Sequence, residues 1–239
     1  MKYKKSTAIV LAAGKGSRMN LDVKKQFFML SGKPVLYYSL KKFEESFIED
    51  IVLVASEEDI EYCKNEIIEK YKITKVRDIA VGGKERYDSV LNGLLNVSKD
   101  TEYVFIHDGA RPFPDLEMLK RAYETVDSNG TAVAAVAVKD TIKTADDNGF
   151  VIATPNRNSM FIIQTPQVFK YEEIKTAYEK LHYNRELLKS KEIMITDDAM
   201  VMEHFGSRKI KLFEGSYRNI KLTTKEDLIL ASEFLTVGL

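Results

Sequence analysis

The chain has 239 residues, 44% hydrophobic and 30% charged, enough to bury a full core and remain soluble. Its 36 basic and 36 acidic residues balance, which gives no support for non-specific nucleic-acid or membrane binding. The lone Cys63 rules out an intramolecular disulfide, and apolar runs such as "AVAAVAV" (132–138) are far too short to span a bilayer.

The start, "MKYKKSTAIVLAAGKGS", has the outline of a secretion signal, with basic residues, an apolar run and small residues. The apolar run is about six residues, short of the roughly seven to fifteen such a signal needs, so a cytoplasmic protein is expected. Strands are predicted at 7–12, 51–55, 75–80, 103–107, 131–138, 161–165 and 209–213. Helices are predicted at 34–46, opened by Pro34, and at 57–70, 86–97, 115–129, 171–182, 197–205 and 224–236. Ser56 with Asp59, and Thr196 with the acidic pair after it, read as helix N-caps. Several strands are apolar on both faces, as in a parallel sheet covered by helices. The fold class is therefore α/β, a Rossmann-like doubly wound domain with a mostly parallel sheet. No repeat or linker divides the chain, so 1–239 reads as one domain.

One segment breaks the alternation. Residues 139–160, "KDTIKTADDNGFVIATPNRNSM", hold two short extended runs around the turn signal "DDNG". Such a protruding hairpin suits a flap or an arm onto another subunit; the residues alone favour an ordinary surface hairpin.

Three strand-to-loop junctions carry groups suited to phosphate. After the first strand comes Gly14-Lys15-Gly16-Ser17-Arg18-Met19, with Lys24 and Lys25 a few residues later. Met19 stands where a dinucleotide fingerprint needs a third glycine, and no Walker A pattern occurs. Small residues still let backbone N–H groups approach an anion, and Arg18 adds a guanidinium fork. The second junction, "GGKERYDSVLNGL" (82–94), turns through Gly82-Gly83 into a helix whose first residues include Arg86 and Ser89. The third, "YVFIHDGARPF" (103–113), ends a strand on His107-Asp108, followed by Gly109-Ala110-Arg111-Pro112. A carboxylate there could hold a magnesium ion that bridges phosphates. His107, His182 and His204 have no metal spacing, and no nucleophile elbow is present. Cys63 reads as a core residue, and Asp197-Asp198 as ordinary first-turn acids of a helix.

The blocks "LAAGKGSRM" (11–19), "KKQF" (24–27), "GGKERYDSV" (82–90), "HDGARPF" (107–113), "KDTIK" (139–143), "NRN" (156–158), "QTPQVF" (164–169), "ITDDA" (195–199) and "NIKLTTKEDL" (219–228) carry a resemblance over essentially the full length. The chain resembles the 2-C-methyl-D-erythritol 4-phosphate cytidylyltransferase family. That resemblance implies transfer of a cytidylyl group from CTP to the polyol phosphate, with release of pyrophosphate. It implies that Ala12, Ala13, Gly14 and Gly16 hold CTP through backbone groups, with Gly83, Arg86 and Ser89 beside the nucleotide. It puts Arg18 and Lys25 on the triphosphate, Asp108 on Mg²⁺, and Thr141, Arg157 and Lys221 on the methylerythritol phosphate, with Arg111 close by. Arg18, Lys25, Arg157 and Lys221 are the expected catalytic cations. The 139–160 segment would be an arm exchanged across a homodimer, so that Thr141 and Arg157 serve the partner's site.

Two residues depart from the family pattern. Lys24 stands where proline is expected, which is expected to loosen the loop. Arg218 precedes Asn219 where an acidic residue with a metal-side role is common, leaving Asp108 as the expected sole anchor of the metal and Arg218 as a stand-in for part of its charge. A sibling, the ribitol 5-phosphate cytidylyltransferases, shares several blocks, but "DGARP" and "DTIK" are the methylerythritol versions. Some relatives carry a fused second domain; with Leu239 directly after the last predicted helix, none is expected here.

Overall fold

The computed structural model describes residues 3–14, 24–190 and 192–236. In chain order, β1 (Ser6–Leu11) is followed by a small hairpin of β2 (Met29–Leu30) and β3 (Lys33–Pro34), then α1 (Val35–Glu44) and β4 (Asp50–Ala55). A 3-10 turn (Glu57–Asp59) runs into α2 (Ile60–Tyr62) and a π-helical stretch (Cys63–Glu69), ahead of β5 (Val76–Val81), α3 (Arg86–Leu95) and β6 (Tyr103–Asp108). Then come α4 (Leu116–Asn129), β7 (Thr131–Ala137), β8 (Thr144–Ala145), β9 (Val151–Ala153) and β10 (Phe161–Lys170). The chain continues through α5 (Tyr171–Tyr183), α6 (Arg185–Ser190), α7 (Asp198–Phe205), β11 (Leu212–Glu214) and α8 (Lys225–Thr236).

Seven strands form one sheet in the order β11-β7-β10-β6-β1-β4-β5. All neighbours pair in parallel except β10, which runs antiparallel between β6 and β7. The central strands are apolar on both faces because helices cover both. Along β1 and β6, Ala8, Val10, Tyr103 and Phe105 enter the core on one side with α1 and α4. Ile9, Val104 and Ile106 enter the other, with α3, α5 and α7. Burying each of the larger side chains contributes about 1.5–3 kcal/mol, so the sheet centre is the rigid platform for what projects from its edge.

Some expectations need correction. The predicted helix at 57–70 is instead a sequence of 3-10, α and π turns that buries Cys63 and Ile67. Burial pushes the Cys63 thiol up to about 12, in keeping with a core residue. Asp197, not Thr196, caps α7, accepting from the Met200 N–H at 2.9 Å. Ser56 sits at its cap position, but its hydroxyl bonds Asp59 instead of the backbone. The last predicted strand shrinks to Leu212–Glu214.

The hairpin at 139–160 projects from the body as β8 and β9. Its turn is closed by Gly149 at φ 85° and by Asp146, which accepts from the N–H groups of Asn148 and Phe150 at 3.0 and 2.8 Å. Phe150 and Ile152 are 73% and 69% exposed.

Candidate active site

The sheet order reverses at β1, since the chain moves outward through β4 and β5 and then returns to β6 on the other flank. Open α/β sheets bind ligands in the crevice outside the strand ends at such a point. A cavity of about 380 Å³ lies there, lined by the end of β1 and its loop, Lys25, the 83–86 turn, Ser89, Asp108 and Lys221. It adjoins a second of about 270 Å³ that shares Arg86, Asp108 and Lys221 and adds Arg111, Thr165 and Thr196.

The nucleotide-loop side is built from backbone. Ala12 N–H donates to Val54 O at 2.7 Å, continuing the β1–β4 ladder past the strand end. The buried Gln26 side-chain amide then donates to the carbonyls of Ala12 (2.7 Å) and Gly14 (3.1 Å), fixing the path of the loop. Gln26 sits in the "KKQF" block, and the sequence alone does not mark it as a buried anchor of the loop. The two lysines before it part company. Lys25 lines the crevice. Lys24 turns away to bond Ser56 Oγ (3.2 Å), Asp59 (2.6 Å) and Glu58, so it ties the loop down where loosening was expected. Gly16 and Arg18 lie outside the described residues.

Opposite that loop, Gly82 packs so tightly that a Cβ would meet Ala13 Cβ at 2.2 Å; no larger residue fits without moving one wall. Gly83 N–H donates to Ser89 Oγ at 3.0 Å, and Ser89 lies in α3 with Glu85 as its N-cap and Asp88 completing a capping box. Ser89 therefore shapes the turn that lines the cavity.

The charged floor is a continuous network. Arg86 makes a two-pronged pair with Asp198, both contacts at 2.8 Å, and its Nε lies 3.5 Å from Asp108. Asp198 is fully buried and also accepts from Tyr178 OH at 2.5 Å. Lys221 Nζ lies 2.7 Å from the other oxygen of Asp108. Burial alone would raise the Asp108 carboxyl, but Arg86 and Lys221 outweigh it and hold the group well below the usual carboxylate range. By sequence Asp198 is a plain first-turn acid of a helix. In the fold it is the counter-charge that holds Arg86 at the crevice, and its type and position gave no hint of that partner 112 residues away.

Arg111 completes the cluster. Its Nη1 donates to Asn219 O at 2.7 Å, while its Nε is buried without a hydrogen-bond partner. Burial pushes the Arg111 guanidinium down, Asp108 offsetting only part of the effect and Arg86 adding to it. A buried cation left short of acceptors is poised for an anion. Beneath it, His107 is fully enclosed. Its Nε2 lies 3.0 Å from Arg111 O and its Nδ1 3.1 Å from Thr165 Oγ1, which accepts from Asp108 N–H at 3.0 Å. Burial pushes the His107 ring down to about 4, so it is neutral, donating from Nε2 and accepting at Nδ1. Gln167 bridges to α7, accepting from Ala199 N–H (2.7 Å) and donating to Asp197 (2.9 Å).

Of the expected site residues, Ala12, Ala13, Gly14, Lys25, Gly83, Arg86, Ser89, Asp108, Arg111 and Lys221 converge on these two adjoining cavities. Thr141 and Arg157 line neither; Arg157 donates to Lys139 O at 2.8 Å within the projecting segment. Arg218 also lines neither cavity. Its guanidinium lies over Phe234, 5.3 Å from the ring centre, so a share in a metal's charge at Asp108 has no geometric support.

A doubly wound sheet with a backbone-walled loop and a cluster of cations at its switch point defines a nucleotide-binding α/β protein that handles phosphate. Residues 6–237 match the family model described as 2-C-methyl-D-erythritol 4-phosphate cytidylyltransferase, and the chain belongs to that family. It is 50% identical over 232 residues to a protein of that name from Clostridium botulinum (strain 657 / Type Ba4), covering 97% of each chain. A namesake from Lachnoclostridium phytofermentans is 46% identical over 231 residues, covering 97% of this chain and 96% of the relative. Among solved structures, 4-diphosphocytidyl-2C-methyl-D-erythritol synthase from Anaerococcus prevotii superposes with a TM-score of 0.82 at 34% identity, covering 98% of this chain and 96% of that one. The Francisella tularensis 2-C-methyl-D-erythritol 4-phosphate cytidylyltransferase gives 0.77 at 28% identity, covering 96% and 99%.

Proposed function

We propose that this crevice transfers a cytidylyl group from CTP to 2-C-methyl-D-erythritol 4-phosphate, giving 4-diphosphocytidyl-2-C-methyl-D-erythritol and pyrophosphate. The observation that carries the reading is the Arg86–Asp108–Lys221–Arg111 cluster beside the Ala12–Gly14 loop, a polyanion site of the right class in a chain of the right family. A phosphate oxygen of the polyol phosphate attacks the α-phosphorus of CTP in line. The bond from the α-phosphorus to the bridging oxygen breaks, and the electron pair leaves with pyrophosphate. No covalent enzyme intermediate is needed.

The protein's task is to hold two mutually repelling polyanions and to neutralise charge as it builds at the α-phosphorus. Ala12, Ala13 and Gly14 present backbone to the triphosphate, with Gly83 and Ser89 shaping the wall for cytosine and ribose. Lys25 and Arg18 are assigned to the triphosphate oxygens. Lys221 and Arg111 are assigned to the incoming phosphate, supported by their both lining the second cavity. Asp108 sets the position of Lys221.

Mg²⁺ belongs to this reading. No group of three potential ligands from His, Cys, Asp and Glu stands together among the described residues. The carboxylate assigned to the ion is Asp108, whose oxygens face Lys221 at 2.7 Å and Arg86 at 3.5 Å. The ion would share it as Lys221 turns to a phosphate, with phosphate oxygens and water completing its shell. When bound, the ion would neutralise charge on the α- and β-phosphates.

The chain is further proposed to work as one domain and as a homodimer, in the cytoplasm. The single buried cysteine suits a reducing compartment, and no helix among the described residues is long and apolar enough to cross a membrane. The dimer reading rests on the bare apolar hairpin around Phe150 and Ile152, with Thr141 and Arg157 at its base and outside their own protomer's cavities. Exchange of the arms would bring both residues to the partner's polyol phosphate. Pyrophosphate release from CTP should need 2-C-methyl-D-erythritol 4-phosphate, with ribitol 5-phosphate at least about 100-fold poorer in kcat/KM. Equal rates would move the chain to the sibling specificity.

A further inference from the structure

A third cavity, about 330 Å³, shares no lining residue with the catalytic crevice. It lies between α1, the loop from Pro112 to Asp115, residues 216–218 and the end of α8. Four cations line it against two carboxylates, and both carboxylates are engaged. Glu45 is 3.6 Å from Lys41, and Asp115 caps α4 by accepting from Met118 N–H at 2.7 Å. Lys42 and Arg218 have no carboxylate within ion-pair distance among the described residues.

The Arg218 guanidinium stacks over Phe234, and its Nε is buried without a hydrogen-bond partner. That nitrogen is sealed from the cavity, so an anion there would meet the rest of the guanidinium that lines it. Lys33 adds a further positive charge at the rim, its Nζ 4.4 Å from the centre of the Tyr37 ring. The remaining walls are ring faces and edges, from Tyr38, Phe113 and Phe234, which bind apolar bodies rather than water. Cations interleaved with aromatic rings in one small cavity suit a ligand that is both anionic and apolar. A guanidinium fork and a lysine lining the same cavity offer two charges and several donors, which matches a phosphate dianion better than a carboxylate.

We propose that this cavity is a second ligand site, taking an organic phosphate whose head lies on Arg218 and Lys42 and whose apolar body packs among Phe113, Phe234 and Tyr38. The site is independent of the transfer reaction, so its failure would leave the proposed activity untouched.

The test is equilibrium binding of 1-naphthyl phosphate, followed by its fluorescence, to the full chain with saturating CTP filling the crevice. Saturable binding is expected, at least tenfold tighter than that of 1-naphthol. Arg218→Gln and Lys42→Gln should each weaken it at least tenfold, while Lys221→Ala leaves it unchanged. Lys42 is a part-exposed helix residue, so its variant keeps the test open should Arg218→Gln fold poorly by circular dichroism. Absence of saturable binding would overturn the site, as would naphthol binding equally well. Loss of binding in Lys221→Ala with neither cation variant affected would return the ligand to the crevice.

Discussion

Asp108 is a buried carboxylate with a cation on each oxygen, and most of the chemistry proposed here depends on which of those cations a phosphate can take over. Lys221 is the one held by a single ion pair. Its single ammonium can shift from Asp108 to an incoming phosphate oxygen, whereas Arg86 is locked by two contacts to Asp198. Lys221→Ala is therefore expected to lower kcat/KM for the polyol phosphate by at least about 100-fold, the range seen when a charge-stabilising donor is removed. Steady-state pyrophosphate release measures it, and a loss below tenfold would move Lys221 out of the transition state. Asp198→Asn makes a different prediction. It leaves the buried side of Arg86 without a counter-charge, which costs roughly 3–5 kcal/mol of stability. Urea unfolding would read this directly, and a change under about 1 kcal/mol would mean that Arg86 finds another partner.

Strand β6 joins the core to the site through His107. The ring stays neutral in the fold down to about pH 4, whereas in the unfolded chain it takes a proton near the ordinary 6.5. Its contribution to stability is therefore complete above pH 6.5 and is lost as pH falls through the window from 6.5 to 4, where the unfolded state binds more protons. The difference is about 3 kcal/mol across that window. Unfolding free energies should fall between pH 7 and pH 4.5, and an NMR titration should find the His107 ring still neutral at pH 5. A ring titrating near 6.5 would contradict the assignment. Much at this scale is legible in the sequence, because short runs rich in β-branched and aromatic residues such as "YVFIH" and "IVLVA" read as strands buried on both faces. The antiparallel direction of β10 was not, since strand direction leaves no trace in composition. Nor was the break of 57–70 into turns of three kinds, where the helical periodicity is real but packing of Cys63 and Ile67 sets the winding. Backbone-bound residues such as Gly82 and Gly83 were found because turns leave a chemical signature. Gln26 was not, because only the fold shows it turning back onto Ala12 and Gly14, and neither was Asp198, because its partner Arg86 lies 112 residues away.

At the scale of the whole molecule, the proposed arm exchange would make two chains share each site. Phe150 and Ile152 are large, apolar and mostly in water, an arrangement that a partner's surface would relieve. Phe150→Asp with Ile152→Asp should shift the protein to monomer by sedimentation and lower turnover of the polyol phosphate with little change in folding. Subunit mixing is a sharper check. Lys221→Ala and Arg157→Ala chains, each poorly active alone, would regain about a quarter of wild-type activity when mixed, because half the dimers are mixed and each holds one intact site. No recovery would mean that Arg157 acts within its own chain. The reaction itself is tested most directly by the purified chain with CTP, Mg²⁺ and 2-C-methyl-D-erythritol 4-phosphate, following pyrophosphate and the cytidylylated product together. Equal amounts of both, dependent on the polyol phosphate and nearly abolished in Lys221→Ala, are expected. Pyrophosphate without the cytidylylated product, or full activity in Lys221→Ala, would contradict cytidylyl transfer at the Asp108–Lys221 crevice.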